Sequence, residues 1–205
     1  MNQTQSQQDS EGDEGMDKTK SSAGIPAHQE GANAHHSDQR SEFSAHVVLY
    51  QPEIPQNTGN IGRTCVAVDA KLWIVRPAAF QLDDTKLKRA GLDYWQHLAL
   101  GDAANWQDLL DQLAPKRLFF FSRFAKRTIW DVTFQRGDTF VFGRETSGLP
   151  ESILDPSDPN ALRLPTSSHV RSLNLATTVG IVLYEQQRQL ISAENGGNTS
   201  DANGL

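Results

Sequence analysis

The sequence holds one cysteine, Cys65, in 205 residues, which excludes an intramolecular disulfide and fits a reducing compartment. Lying between apolar neighbours in a helical stretch, Cys65 reads as a small packed residue rather than a nucleophile. No apolar run approaches membrane-spanning length, so a soluble, cytoplasmic protein is expected. Zinc-type Cys/His spacings, a His-Glu-x-x-His helix, a Gly-x-Ser-x-Gly elbow and magnesium-type acidic clusters are all missing, so neither a metal nor acyl-enzyme chemistry is expected. His97 and His169 stand alone, and His35 and His36 lie in a polar amino-terminal stretch. Gly-x-Gly and a glycine run followed by Lys-Ser/Thr are also missing, which argues against a dinucleotide fingerprint and a phosphate loop.

Large apolar side chains are scarce at both ends. Residues 1–45 are mostly Gln, Ser, Asp, Glu, Gly and His, too polar to offset the entropy of ordering, and read as a disordered arm. Its Met16 and Ile25 cannot form the apolar stretch of a secretory signal, and its acidic, Arg-poor character argues against a transit peptide. Residues 194–205 read as a flexible tail, leaving one domain over 46–193. The whole chain carries 19 basic and 25 acidic residues. Residues 1–45 hold 3 of the basic and 8 of the acidic groups and residues 194–205 two more acidic ones, so the domain has 16 against 15 and is close to neutral. Within it Lys86, Lys88 and Arg89 form one basic cluster, and Arg123, Lys126, Arg127 and Arg136 another. Either suits a phosphate-binding face or an ordinary solvated surface.

What is present is an alternation of short apolar runs with helical ones. Strands are expected at 46–50, 72–75, 118–121, 139–142 and 161–164, and helices at 58–68, 84–90, from 105 with Asn105 as its cap, and 174–190. Continuous apolar strands alternating with helices point to an α/β domain with a mostly parallel sheet.

Three glycine-and-polar segments interrupt this pattern. In the first, Asn57-Thr58-Gly59-Asn60-Ile61-Gly62-Arg63-Thr64, two glycines inside a helix cost roughly 2 kcal/mol relative to alanines. A helix beginning at Thr58 also sets the Arg63 cation near its positive end. A ligand or partner lying against the backbone, with Arg63 facing an anion, explains both; a plain glycine-bearing turn is the alternative. The second, Phe142-Gly143-Arg144-Glu145-Thr146-Ser147-Gly148-Leu149-Pro150, closes a strand with a loop suited to a flat ring held by backbone groups, and Pro150 could open a short helix. In the third, Leu162-Arg163-Leu164-Pro165 leads to Arg171-Ser172-Leu173-Asn174-Leu175. There Ser172 or Asn174 caps the last helix, leaving the other free to bind a ligand.

Taken together with Leu49-Tyr50-Gln51-Pro52-Glu53-Ile54-Pro55-Gln56, Leu87-Lys88-Arg89-Ala90-Gly91-Leu92-Asp93-Tyr94 and Val182-Leu183-Tyr184-Glu185, these segments resemble the SPOUT-class RNA 2′-O-methyltransferases. They are most similar to the TrmL family of small tRNA enzymes that methylate the wobble-position ribose of cytidine or uridine. The resemblance runs from Val47 to about Leu190. Arg144 departs from the proline usual at its position, and residues 166–170 depart from the usual linker.

The resemblance implies a carboxyl-terminal trefoil knot, a homodimer whose sites draw on both subunits, tRNA as substrate and S-adenosylmethionine as methyl donor. Phe121, Gly143, Leu164, Ser172 and Leu173 match positions that contact the donor. Arg63 matches the family's catalytic arginine, and Asn174 and Glu145 fall with it at the reaction centre, with Arg171 shaping the site. Action on another tRNA or rRNA position, a catalytically silent RNA-binding dimer and a nicotinamide-dependent oxidoreductase are the competing readings; the last conflicts with the missing glycine fingerprint.

Overall fold

The apolar runs form strands, and they are continuous because both faces of their sheet are covered. The computed structural model describes residues 43–80 and 94–197. Strands β1 (Ala45–Tyr50), β2 (Ala70–Val75), β3 (Leu100–Ala103), β4 (Leu118–Phe121), β5 (Arg127–Thr128), β6 (Asp138–Phe142) and β7 (Ala161–Arg163) make a seven-stranded sheet in the order β3-β2-β1-β6-β4-β7-β5. Every pairing in it is parallel. Helices α1 (Pro55–Ala67), α2 (Trp106–Leu113) and α3 (Leu175–Gly197) flank it.

Side chains alternate between two cores. Val47, Leu49, Leu72, Ile74, Phe140 and Phe142 pack on one face with Ile61 and Cys65 of α1 and Val179, Val182 and Leu183 of α3. Val48, Trp73, Val75, Phe120 and Val141 pack on the other with Leu109 of α2 and Leu154. A strand buried on both sides has no polar alternation, which is why these read as unbroken apolar runs. Cys65 is fully buried, and burial pushes its thiol pKa up, as suits a packing residue.

Several boundaries differ from those expected. Helix α1 starts at Pro55, not Thr58, so Arg63 lies in its third turn, away from the positive end. Its buried face is Asn57, Thr58, Gly59, Ile61, Gly62 and Cys65, a pattern with little apolar periodicity to read. Strand β3, Leu-Gly-Asp-Ala at the sheet edge, carries one large apolar residue and went unseen, as did the two-residue β5. Strand β7 stops at Arg163. Helix α3 continues to Gly197, three residues past the expected start of the tail, and β1 already includes Ala45. Residues 150–154 make one isolated turn, closed by the Ile153 and Leu154 amides on the Pro150 carbonyl, not a helix. The helix expected at 84–90 and the Lys86, Lys88 and Arg89 cluster lie outside the described residues. Asn105 does cap α2, accepting from the Asp108 amide at 3.0 Å.

His46 on β1 couples this fold to pH. Its Nδ1 accepts from Trp73 Nε1–H at 3.3 Å, so the ring is neutral. Burial, aided by the nearby Lys71 charge, lowers its pKa to about 4. In the unfolded chain the ring titrates at its ordinary 6.5, so as pH falls the unfolded state takes up the proton first. Stability from this site is complete above about pH 6.5 and is lost progressively towards about pH 4. Urea midpoints of the wild type and of His46→Gln, compared across that window, are expected to converge as the pH falls. A constant gap contradicts the assignment.

A candidate active site at the carboxyl edge of the sheet

Register brings the carboxyl ends of three strands side by side. Phe121 pairs with Phe142 on one side and with Leu162 on the other. The Phe121 and Phe142 rings stack at 4.5 Å, 13° from parallel. Gly143 and Ser122 therefore leave the sheet together, and Leu164 follows one residue later, after Arg163. This is the edge where open α/β sheets hold ligands, at the place where strand order changes direction. Here β6 lies between β1 and β4.

The start of α1 is fixed by a carboxylate from this edge. Ile54, its N-cap residue, offers no capping side chain. Glu145 does so from ninety residues away: Oε2 accepts from the Glu53 amide at 2.8 Å, and Oε1 from the Ile54 amide at 3.3 Å and Asn57 Nδ2 at 3.0 Å. A negative charge on free amides at the helix start is favourable twice, as hydrogen bonds and against the helix dipole. Glu53 returns the contact, its carboxylate accepting from the Thr146 amide at 3.0 Å and from the Thr146 hydroxyl. Arg144 donates to Gln51 Oε1 beside them.

Asn174 extends this network to α3. Its Oδ1 accepts from the Ala176 and Thr177 amides, which makes it the helix cap, and its Nδ2 donates to Asn57 Oδ1 at 3.0 Å. The buried Asn57 side chain thus joins Glu145 to Asn174. Of the two cap candidates Asn174 is the cap, and Ser172 stands exposed.

The glycines prove to serve the protein's own packing. A Cβ on Gly143 would collide with the Gly148 carbonyl carbon and the Leu149 nitrogen, so its bare backbone lets the loop return on itself. The loop is closed by Arg144 and Gly148 exchanging amide–carbonyl bonds at 3.1 and 2.9 Å. Gly148, with φ of 73°, has open space where a Cβ would point. On α1, Gly62 faces Leu98, Trp95 and Tyr94, and the buried Gly59 carbonyl accepts from the Tyr94 hydroxyl at 2.8 Å. The close approach expected of a ligand is made there by residues 94–98 of the same chain.

Arg63 is exposed on α1, with its guanidinium 4.9 Å from the centre of the Tyr94 ring. Eight residues of helix separate it from Pro55, roughly 12 Å of rise, directed away from the carboxyl edge. Leu164 is half-buried against the α1 and α3 core, while Ser172, Leu173 and Arg171 are exposed on the segment before α3. Among the described residues, the one backbone hydrogen bond within 165–173 runs from the Val170 amide to the Ser167 carbonyl, and the segment is exposed. An exposed segment, an open glycine and flanking leucines fit a flat, uncharged ring with polar edges. The basic cluster expected around 123–136 divides: Arg123 and Lys126 follow β4 at this edge, Arg136 precedes β6 at the opposite end, and Arg127 donates to the Pro159 and Asp131 carbonyls.

A parallel sheet covered on both faces, with its carboxyl edge pinned to two helix starts, is an open α/β domain with its ligand-binding edge formed. Residues 44–184 match the SpoU rRNA Methylase family, and the chain belongs to that family. The tRNA (cytidine(34)-2′-O)-methyltransferase of Methylovorus glucosotrophus is 45% identical over 144 residues, covering 70% of this chain and 94% of that protein. A solved structure concerned with 2-OH methylation of C/U34 on tRNA is similar at a TM-score of 0.68 and 44% identity, over 72% of this chain and 97% of that one. The SpoU methyltransferase AviRb from Streptomyces viridochromogenes, solved with AdoMet, shares the fold at a TM-score of 0.67 and 24% identity, over 75% of this chain and 62% of its own. The family resemblance drawn from the sequence motifs, and the α/β parallel sheet, are thereby borne out.

The carboxylate network makes a direct demand on stability. Removing its acceptors in Glu145→Ala is expected to cost about 1–2 kcal/mol. Glu145→Gln, which keeps one oxygen, should cost less. Denaturant unfolding together with amide exchange at Glu53 and Ile54 checks this: unprotected amides are expected in the alanine variant, and unchanged protection contradicts the capping role.

Proposed function

We propose that this protein transfers a methyl group from S-adenosylmethionine to the 2′-hydroxyl of the wobble cytidine or uridine of a tRNA, as a cytoplasmic homodimer that needs no metal. One observation carries the reading: the register of β4, β6 and β7 gathers Phe121, Gly143 and Leu164 at one edge, and the exposed segment after Leu164 carries Ser172 and Leu173. The relatives' identity over nearly their whole length supports the choice of reaction and substrate.

When bound, the donor supplies a methyl group on a sulfonium, so the methyl–sulfur bond breaks as the ribose oxygen forms its bond to that carbon and loses its proton. The chain's contribution is alignment. Phe121, Gly143, Leu164, Ser172 and Leu173, with backbone groups near them, would hold the donor. Glu145 and Asn174 act as positioning residues, since their polar atoms already bind the α1 and α3 starts and Asn57. Arg63, a planar cation, orients the ribose and stabilises negative charge developing on the 2′-oxygen, and the hydroxyl proton leaves to another group. The knot belongs to the same reading and is supported by the family and by the insertion of β6 and β7 between earlier strands.

Two features support a dimer. Arg63 lies about two turns of helix away from the edge that would hold the donor, so the acceptor arginine and the donor pocket come together most directly across two copies. Ile181, Tyr184 and Ile191 also form an exposed apolar stripe on α3, at 39%, 59% and 54% exposure, on the side opposite its buried Val179, Val182 and Leu183.

Arg63→Ala is expected to abolish methyl transfer while donor affinity, read by calorimetry, survives; an equal loss of donor affinity contradicts the division of roles. Ser172→Ala should weaken donor binding, and unchanged affinity removes it from the pocket. Tyr184→Glu should give a monomer in light scattering and lose activity. A dimer that persists at full activity places the interface elsewhere.

A further inference from the structure

The loop after β4 carries a feature that the methyl-transfer reading leaves unused. Leu162 pairs with Phe121 on one side and with Arg127 on the other, so residues 122–126 bridge β4 and β5 across the carboxyl end of β7. The chain leaves β7 beside this bridge as Arg163 and Leu164. The bridge is locally braced: the Ala125 amide donates to the Ser122 carbonyl at 3.1 Å, the Phe124 amide to Ser122 Oγ at 3.3 Å, and Ala125 is buried among Phe120, Leu154 and Ala161. Yet Phe124, held between these anchors, is 64% exposed. The Arg123 guanidinium lies over its ring at 4.2 Å.

An exposed phenylalanine on a braced loop gains nothing from burial, and one ring face is already covered by a cation. A pair of this kind suits an unpaired nucleobase, which stacks on a flat π surface while the guanidinium meets the adjoining phosphate. Lys126 adds a second cation on the same bridge. A protein partner would more often find a broader apolar patch, whereas here the single ring is flanked by two cations.

We propose that Arg123 and Phe124 form a stacking platform for an unpaired base flanking the nucleotide that is methylated, and so help to position the RNA. This rests on the RNA methyltransferase reading above. Phe124 is a positioning residue and takes no part in the transfer itself. Phe124 lies three residues beyond Phe121, whose strand end is in register with the ends that lead to Gly143 and Leu164.

The test uses the full chain and an anticodon stem-loop RNA, with KM, kcat and donor affinity measured separately. Phe124→Ala should raise the RNA KM about tenfold or more, in line with loss of one base–aromatic stack, with kcat and donor affinity unchanged. Phe124→Tyr, which keeps the aromatic face, should keep the wild-type KM, whereas Phe124→Leu, which keeps bulk without that face, should raise it as Phe124→Ala does. An abasic substitution at one flanking nucleotide should impair the wild type as much as Phe124→Ala does, and should add nothing in that variant. An unchanged KM in Phe124→Ala overturns the platform, as does an equal loss of donor affinity, which would assign the ring to the donor pocket. If the wild type methylates no RNA, the underlying reading fails and the platform with it; if it methylates and Phe124→Ala matches it, the platform alone fails.

Discussion

A carboxylate supplied from a distant loop holds the candidate site together. Glu145 satisfies the amides at the start of α1, Glu53 answers by holding Thr146, and Asn57 passes the connection to the cap of α3 at Asn174. Three chain segments far apart in sequence are thereby locked to one another at the edge of the sheet. Because the acceptor and donor atoms involved are matched, the network fixes geometry without leaving a carboxylate free for acid–base chemistry. The loops that would surround a methyl donor inherit their positions from it.

This arrangement also explains what the sequence disclosed and what it withheld. Strands buried on both faces show as apolar runs, so β1, β2, β4 and β6 were legible to within two residues. The edge strand β3 was not, since Gly101 packs where a side chain would meet the Trp73 ring and Asp102 faces Arg76. Helix α1 was placed three residues late because its capping group is not local: Ile54 and Pro55 give no polar start signal, and nothing in their neighbourhood announces Glu145. Asn105 and Asn174, which cap from adjacent positions, were readable.

The glycines were informative for a reason other than the one expected. Gly59, Gly62 and Gly143 do mark close approach to backbone, but the approaching groups are Tyr94, Leu98 and the 148–149 backbone of the same chain. Gly148, by contrast, has open space where a Cβ would point. Read singly, each bare backbone points to a ligand it does not hold; the order and spacing of the three segments are what is specific, in keeping with the family match over residues 44–184. Arg63 illustrates the remaining gap. Periodicity places it on an exposed helix face, yet only the earlier helix start shows how far it stands from the edge it would have to serve.

On the proposed reading, the donor is held by one copy's loop edge and the ribose is addressed by an arginine that a single copy keeps at a distance. The most direct test is to incubate the purified protein with labelled S-adenosylmethionine and unmodified tRNA and map the product nucleotide by nucleotide. The account requires a single 2′-O-methyl group at the wobble position, formed without added metal. Label at another position would contradict the substrate assignment, and the absence of donor-dependent label would contradict the activity itself.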